Sequence, residues 1–178
     1  MMKQMICILL ALLLTAPALA QEPVLTAEDF TLRLSDAPDA EAFAVGDPAE
    51  ALLKALESFT GAPVVMTFED QDCMLPGMTR EYTTADELFV LATRPLPGDP
   101  QANTLESVMV LTPQVATARG ARVGMTLEEI TALYGDGYVL DYDTAFYGNG
   151  MLEPQLLFFF DTQTWTVTAW LMLRNMVI

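Results

Sequence analysis

Histidine is absent from these 178 residues, and cysteine occurs only twice. Without histidine there is no Ser-His-Asp or Cys-His nucleophile pair, and zinc loses its commonest ligand. Two cysteines, Cys7 and Cys73, are too few to close a transition-metal site. Basic residues are scarce as well: 8 Lys and Arg stand against 24 Asp and Glu, for a formal net charge of −16. A surface of that sign repels phosphate backbones and anionic headgroups, so no nucleic acid partner is expected. A phosphate-cradling loop is missing too. Gly148-Asn149-Gly150 has neither the spacing nor a Lys at a helix start, and it reads as a hairpin turn.

What the chain has is apolar material, at 52% of its residues, which is too much for an acidic disordered tail. The longest apolar run lies at the start. Lys3 is followed by an uncharged stretch over residues 5–14 and then by Ala18-Leu19-Ala20, the order of a secretory signal with its cleavage site. About ten residues are half of what a bilayer core of about 30 Å needs, so a retained membrane helix is the weaker reading. Cleavage after Ala20, export to the exterior or the cell envelope, and no membrane insertion afterwards are the expectations. Cys7 sits inside the apolar stretch rather than after it, so no lipid attachment is implied. Residues 21–178 are of a length for one domain. Only Cys73 then remains, which excludes an internal disulfide. The thiol fits a buried small hydrophobe, or else a reactive group.

Two segments resemble each other at a distance of 78 residues. Ala44-Val45-Gly46-Asp47-Pro48-Ala49-Glu50-Ala51-Leu52 and Arg122-Val123-Gly124-Met125-Thr126-Leu127-Glu128-Glu129-Ile130 share Val-Gly, a Glu four residues on and an aliphatic after it. Each reads as a glycine turn leading into a capped helix. Asp47 is placed to cap the first with Pro48 at its first position, and Thr126 with Glu129 forms a capping box for the second. These helices should reach about Phe59 and about Tyr134, the latter stopped at Gly135.

After each helix the periodicity shifts to short strand-like runs. The first set covers residues 63–68, 80–83, 88–93 and 107–111, and the second covers 138–146, 156–160 and 165–173. Turn residues separate them, Leu96-Pro97-Gly98-Asp99-Pro100 among them. Thr84-Ala85-Asp86-Glu87 fits a helix start as well as a hairpin turn. The aromatic and β-branched residues beside it favour the hairpin. The expected fold is therefore α+β, an antiparallel sheet with helices packed on one face, built as a tandem α-β-β-β repeat with halves near 30–112 and 113–178.

The stretch from Arg122 through Ile130 to Leu133-Tyr134-Gly135-Asp136 resembles a motif of secreted proteins with the β-lactamase-inhibitor-protein-like fold. Small outer-membrane-assembly lipoproteins share that signature of Gly-Met-Thr, an aliphatic residue and a closing Leu-Gly. Here Tyr134 stands in place of the closing Leu, and the lipid-attachment cysteine of the lipoproteins is missing. The resemblance implies a tandem repeat of a helical segment and antiparallel strands, and a binding rather than a catalytic role. It transfers no contact residue. Cys73-Met74-Leu75-Pro76-Gly77 and Thr117-Ala118-Arg119-Gly120 are similar to Cys-x-x-x-Gly and Thr-x-x-Gly elements of secreted proteins from anaerobic Gram-positive bacteria.

Metal chemistry finds little support. Asp141-Tyr142-Asp143-Thr144-Ala145-Phe146 opens like a calcium loop, yet Ala145 replaces a ligand and Phe146 fills the glycine position. Glu69-Asp70-Gln71-Asp72 reads as a solvated acidic loop. Neither a metal nor another cofactor is expected. Carboxylates are numerous enough for paired-acid hydrolysis by residue type, but no convergent set is visible, so the reading is not an enzyme.

The last hairpin is apolar on both faces. Leu156-Leu157-Phe158-Phe159-Phe160 is continuous, and over residues 165–173 alternate positions carry Trp165, Val167, Ala169, Leu171 and Leu173 against Thr166, Thr168, Trp170 and Met172. Two layers cover one sheet face only. Phe158, Trp170 and Met172 are the candidate residues for an uncovered face that holds a protein or peptide, unless a curved sheet buries them under loops or a crossing N-terminal segment. An envelope-structural or assembly factor and a carboxylate-based hydrolase are the alternative functions.

Overall fold

The computed structural model describes residues 24–35, 37, 40–148, 150 and 152–174. The expected signal segment and its cleavage site lie outside the described residues. The architecture is α+β, with one large antiparallel sheet and two α-helices. A 3-10 turn, Ala27–Phe30, leads into β1 (Thr31–Arg33) and β2 (Ala42–Ala44), which pair with each other as a small hairpin. Helix α1 (Ala49–Thr60) precedes β3 (Val64–Gln71), β4 (Met78–Thr84), β5 (Phe89–Leu96) and β6 (Asp99–Val110). Helix α2 (Leu127–Tyr134) precedes β7 (Val139–Asp141), β8 (Thr144–Tyr147), β9 (Gln155–Phe160) and β10 (Val167–Leu173). The eight strands from β3 onward form one sheet in the order β3-β4-β5-β6-β10-β9-β8-β7. Each helix is thus followed by four strands rather than three, and the last strand of each set meets the other at the centre.

Local chemistry explains the boundaries. Thr126 caps α2 as expected: its side chain accepts from the Glu129 N–H, and Glu129 reaches back to the Thr126 N–H at 2.8 Å. Asp47 does not cap α1. Its carboxylate accepts the Ala44 N–H at 2.8 Å and closes the preceding turn, which leaves Pro48 as the N-cap. Gly61 ends α1 at φ +66 and returns its N–H to Glu57, a left-handed stop that costs glycine little. Pairing of Leu96 with Asp99 leaves Pro97-Gly98 as a two-residue turn, so β6 begins well before residue 107. The single strand expected over 138–146 is two, because Tyr142-Asp143 forms a tight turn with Tyr142 at φ +53. The hairpin expected at residues 84–88 joins β4 to β5, with the Thr84 hydroxyl accepting the Phe89 N–H at 3.1 Å.

Both glycine turns are held by the same pattern of bonds. Gly46 donates to the Leu105 carbonyl at 2.7 Å, and Leu105 donates back to Asp47 at 2.8 Å. Gly124 donates to the Val167 carbonyl at 2.7 Å, and Val167 donates back to Met125 at 2.7 Å. The two glycines have φ +96 and +94, where an L side chain is strained.

Both helices press on one sheet face. Leu52 and Leu56 of α1 and Ile130 and Tyr134 of α2 join one buried cluster with Phe89, Val110, Trp170 and Phe158. Those four strand residues form one cross-strand row, and its ends are stacked from above. Phe59 meets Phe89 edge-on with centroids 5.9 Å apart, and Tyr134 meets Phe158 at 5.5 Å. The next row, Leu91, Val108, Met172 and Leu156, is completely buried. Each large side chain taken out of water here contributes about 1.5–3 kcal/mol.

Candidate functional site

The three residues expected on an uncovered face are in the core instead. Phe158, Trp170 and Met172 are 0%, 1% and 0% exposed and lie on the helix-facing rows. No surface partner reaches them in this fold. The helices land on the face that carries them, and a β-bulge adds Val167 to it. Register shifts between Val167 and Ala169, so that Thr168 is the extra residue and Val167 joins Trp170 and Met172 on the helix side. Strict alternation from Trp165 therefore assigned one parity to both ends of a strand that changes parity midway.

The opposite face carries the other residues of the same strands. One cross-strand row runs through all eight: Val65, Thr83, Val90, Met109, Leu171, Leu157, Phe146 and Val139, every neighbour pair in direct register. Seven of the eight are apolar. Val90, Met109, Leu171 and Phe146 are half-buried, and the row ends at Val65 and Val139, which are 48% and 68% exposed. Near its Val139 end a hollow of about 400 Å³ is lined by Val139, Phe146, Tyr147 and Gln155 among others. Alternation in the first strand set, Val90 against Phe89 and Leu91, was the signal that could have found this face.

Two ion pairs brace the ends of the fold. Arg119 forks onto Asp29 with nitrogen–oxygen distances of 2.7 and 2.8 Å, donates to the Val24 carbonyl at 2.9 Å and lies 4.8 Å above the Tyr134 ring. The Tyr134 hydroxyl donates to Thr117 at 2.8 Å. Burial pushes the Tyr134 hydroxyl up to about 12, against the lowering by Thr117. The residue that replaces a Leu in the motif thus ties α2 to the 117–120 loop, a bond that Leu cannot make.

At the other end, Asp72 accepts from the N–H groups of Met74 and Leu75 at 2.8 Å each, from the Thr79 hydroxyl at 2.9 Å and from Arg94 at 2.9 Å. Burial opposes its charge, but these donors outweigh it and hold the carboxyl well below the usual carboxylate range. The Asp72 turn is closed by Gly77, whose φ is +126 and where a Cβ would stand 2.9 Å from Pro100 O and from the Pro95 ring. Cys73, on that turn, is exposed rather than buried.

Arg94 also faces Glu106 at 3.8 Å. Burial pushes the Glu106 carboxyl up, against the lowering by Arg94 and Arg174, and its Oε2 is buried with no partner among the described residues. Asp72 and Glu106 are the two carboxylates that meet at one guanidinium. Asp72 spends both its oxygens on the turn and on Arg94, so it has no free edge for attack on a substrate. The Asp72–Arg94 ion pair ties the turn after β3 to β5. Among the described residues no group of three or more Cys, Asp or Glu is placed to hold a metal ion, and no helix is long and apolar enough to cross a membrane.

No protein-family model matches the chain, and no curated protein matches it. Among solved structures, it is similar to an extracellular protein containing an SCP domain from Bacillus anthracis str. Ames, at 10% identity and a TM-score of 0.45. That match covers 73% of this chain, which spans 44% of the other's length.

Proposed function

We propose that this protein is a secreted, non-enzymatic binding module that holds a protein or peptide on the sheet face turned away from the helices. The observation that carries the reading is the eight-strand row from Val65 to Val139, apolar at seven positions and partly open to solvent everywhere except at Leu157. A folded chain gains nothing by keeping such a row wet, whereas a partner gains burial of it. The acidic surface around it suits an exported protein and sets the sign of charge that a partner meets.

The repeat belongs to the same proposal. Two Gly-turn-helix units with matched hydrogen bonds, each followed by four antiparallel strands, are what a duplicated unit predicts. The likeness of residues 122–136 to the β-lactamase-inhibitor-protein-like fold supports it from the sequence side.

The test uses the exposed face rather than the core. Leu171→Glu places a charge mid-row without touching the helix side. Affinity capture from culture medium and from envelope extracts should recover a partner with the wild-type chain and lose it with Leu171→Glu, at unchanged circular dichroism. A folded Leu171→Glu chain that keeps every captured species would refute the reading.

A further inference from the structure

The two edges of the large sheet are unlike. At one edge β7 is three residues long, too short to template another strand, whereas β3 at the other is eight residues long. All of β3 after Val64 is exposed, including Val65 at 48%, Met66 at 48% and Phe68 at 47%. Among the described residues no strand pairs with its outer side. Long exposed edges are usually blunted because they offer unpaired backbone donors and acceptors.

The inward and outward groups can be assigned. Ala85 donates to Pro63 and Asp72 donates to Gly77, each at 3.0 Å, so Pro63 and Asp72 face β4 at the two ends of the ladder. The Val64 N–H, next to Pro63, donates to Glu57 Oε1 at 3.3 Å, and the Gln71 N–H, next to Asp72, donates to Asp70 Oδ1 at 2.7 Å. Side-chain carboxylates thus occupy the outward donors at both ends. Alternation, with the bulge at Thr67 absorbing one residue, turns the Met66 and Glu69 N–H groups outward between them.

Charge selects the occupant. Glu69 and Asp70 of this edge, Glu81 of the strand beside it and Glu57 of α1, bonded to the Val64 N–H, stand against Arg80, which is bonded to Glu69 at 2.6 Å. A second copy would bring the same carboxylates and the same net charge of −16. We propose that β3 accepts an added strand from an extended polypeptide segment that is basic at its ends and apolar at alternate positions, its backbone bonded to Met66 and Glu69 and its apolar side chains beside Val65 and Phe68. This edge shares Val65 with the face row, but the backbone donors of Met66 and Glu69 take no part in that row, and the proposal does not rest on the reading above.

The probe is the capped heptapeptide Lys-Val-Thr-Val-Thr-Val-Lys, added at about millimolar concentration to the full chain and followed by amide exchange and amide resonances. The expected result is a several-fold slowing of exchange at Met66 and Glu69, with affinity falling about tenfold between roughly 20 and 300 mM salt. A heptapeptide with Glu at both ends should not bind, nor should the basic peptide with alternate backbone nitrogens methylated. Met66→Pro should abolish binding while leaving the fold intact, because proline is tolerated where an edge N–H faces solvent. Leu171→Glu should leave the edge result unchanged. The proposal is overturned if the basic peptide fails to protect these amides, if the methylated or acidic peptide protects them equally, or if they are already protected in the peptide-free chain by a second copy or by another part of the same chain.

Discussion

The two faces of the large sheet use the same strands and similar residues, yet they differ in what covers them. On the helix side Phe89, Val110, Trp170 and Phe158 are at most 1% exposed under α1 and α2. On the other side Val90, Met109 and Leu171, each one residue away, stay partly wet, while Leu157, next to Phe158, is buried. The difference teaches that hydrophobicity alone does not assign a residue to a core. The element that lands on it does, and here both helices land on the same side, each entered from a glycine turn bonded to one of the two central strands, Gly46 to Leu105 of β6 and Gly124 to Val167 of β10. Substitutions at neighbouring positions of one strand should therefore separate into losses of stability and losses of binding.

The largest effect belongs to the covered face. Trp170→Ala should cost about 3–5 kcal/mol, read as a lowered denaturant midpoint, since it empties the space between Val110 and Phe158. Trp170→Phe should cost much less, because the indole N–H is buried without a partner among the described residues and its removal forfeits no bond. An Ala variant as stable as the wild type would erase the distinction between the faces.

Next is the ion pair at the strand ends. Asp72→Asn should destabilise by about 2 kcal/mol at neutral pH, because it replaces a charge-assisted bond from Arg94 within a four-donor site. Asp72 is held below its ordinary value, so the stability it contributes is present above the unfolded carboxyl's pKa and lost as pH falls. The gap between wild type and Asp72→Asn should therefore shrink on acidification below about pH 4, which urea titrations at several pH values would show. A gap independent of pH would mean that Asp72 acts by shape alone.

Much of this fold can be read from residue order, and the reasons for the failures are local. The two helices, the Thr126–Glu129 box and most strands follow from periodicity and turn residues, because each is decided within a few positions. The β1–β2 hairpin was missed since three-residue strands have no period to detect. Tyr142-Asp143 hid a turn because the residue that takes the left-handed conformation is the tyrosine rather than Asp143, and a positive φ at tyrosine has no sequence signature. The face assignment failed at Thr168, where one bulged residue reversed the side of everything before it, including Val167. The candidate site failed for a different reason: the alternation of a strand that is apolar on both faces does not tell which face the helices cover. An apolar second face was foreseen, but Phe158, Trp170 and Met172 were placed on it where Leu157, Leu171 and Met109 belong.

On the open face the expected change in stability is small. Leu171→Glu should alter the unfolding free energy by less than about 1 kcal/mol, since its side chain is already partly hydrated and has no helix above it. A loss as large as that of Trp170→Ala would mean that this face too is packed against something, and the contrast between the faces would collapse.

The smallest effect tests whether burial or pairing governs the remaining carboxylate near Arg94. Burial is the larger influence on Glu106 and raises its pKa, so the folded chain holds this proton more tightly than the unfolded chain does. Stability from that proton is full below the unfolded carboxyl's pKa and is lost as pH rises through the folded value, the reverse of Asp72. Glu106→Gln cannot titrate at this position, so its stability relative to the wild type should rise through the window in which Glu106 ionises, leaving the variant equal or slightly more stable at neutral pH. Thermal midpoints collected from about pH 4 to 8 decide it. If Glu106→Gln is instead less stable at neutral pH, attraction to Arg94 and Arg174 outweighs desolvation, and the two carboxylates at this guanidinium behave alike.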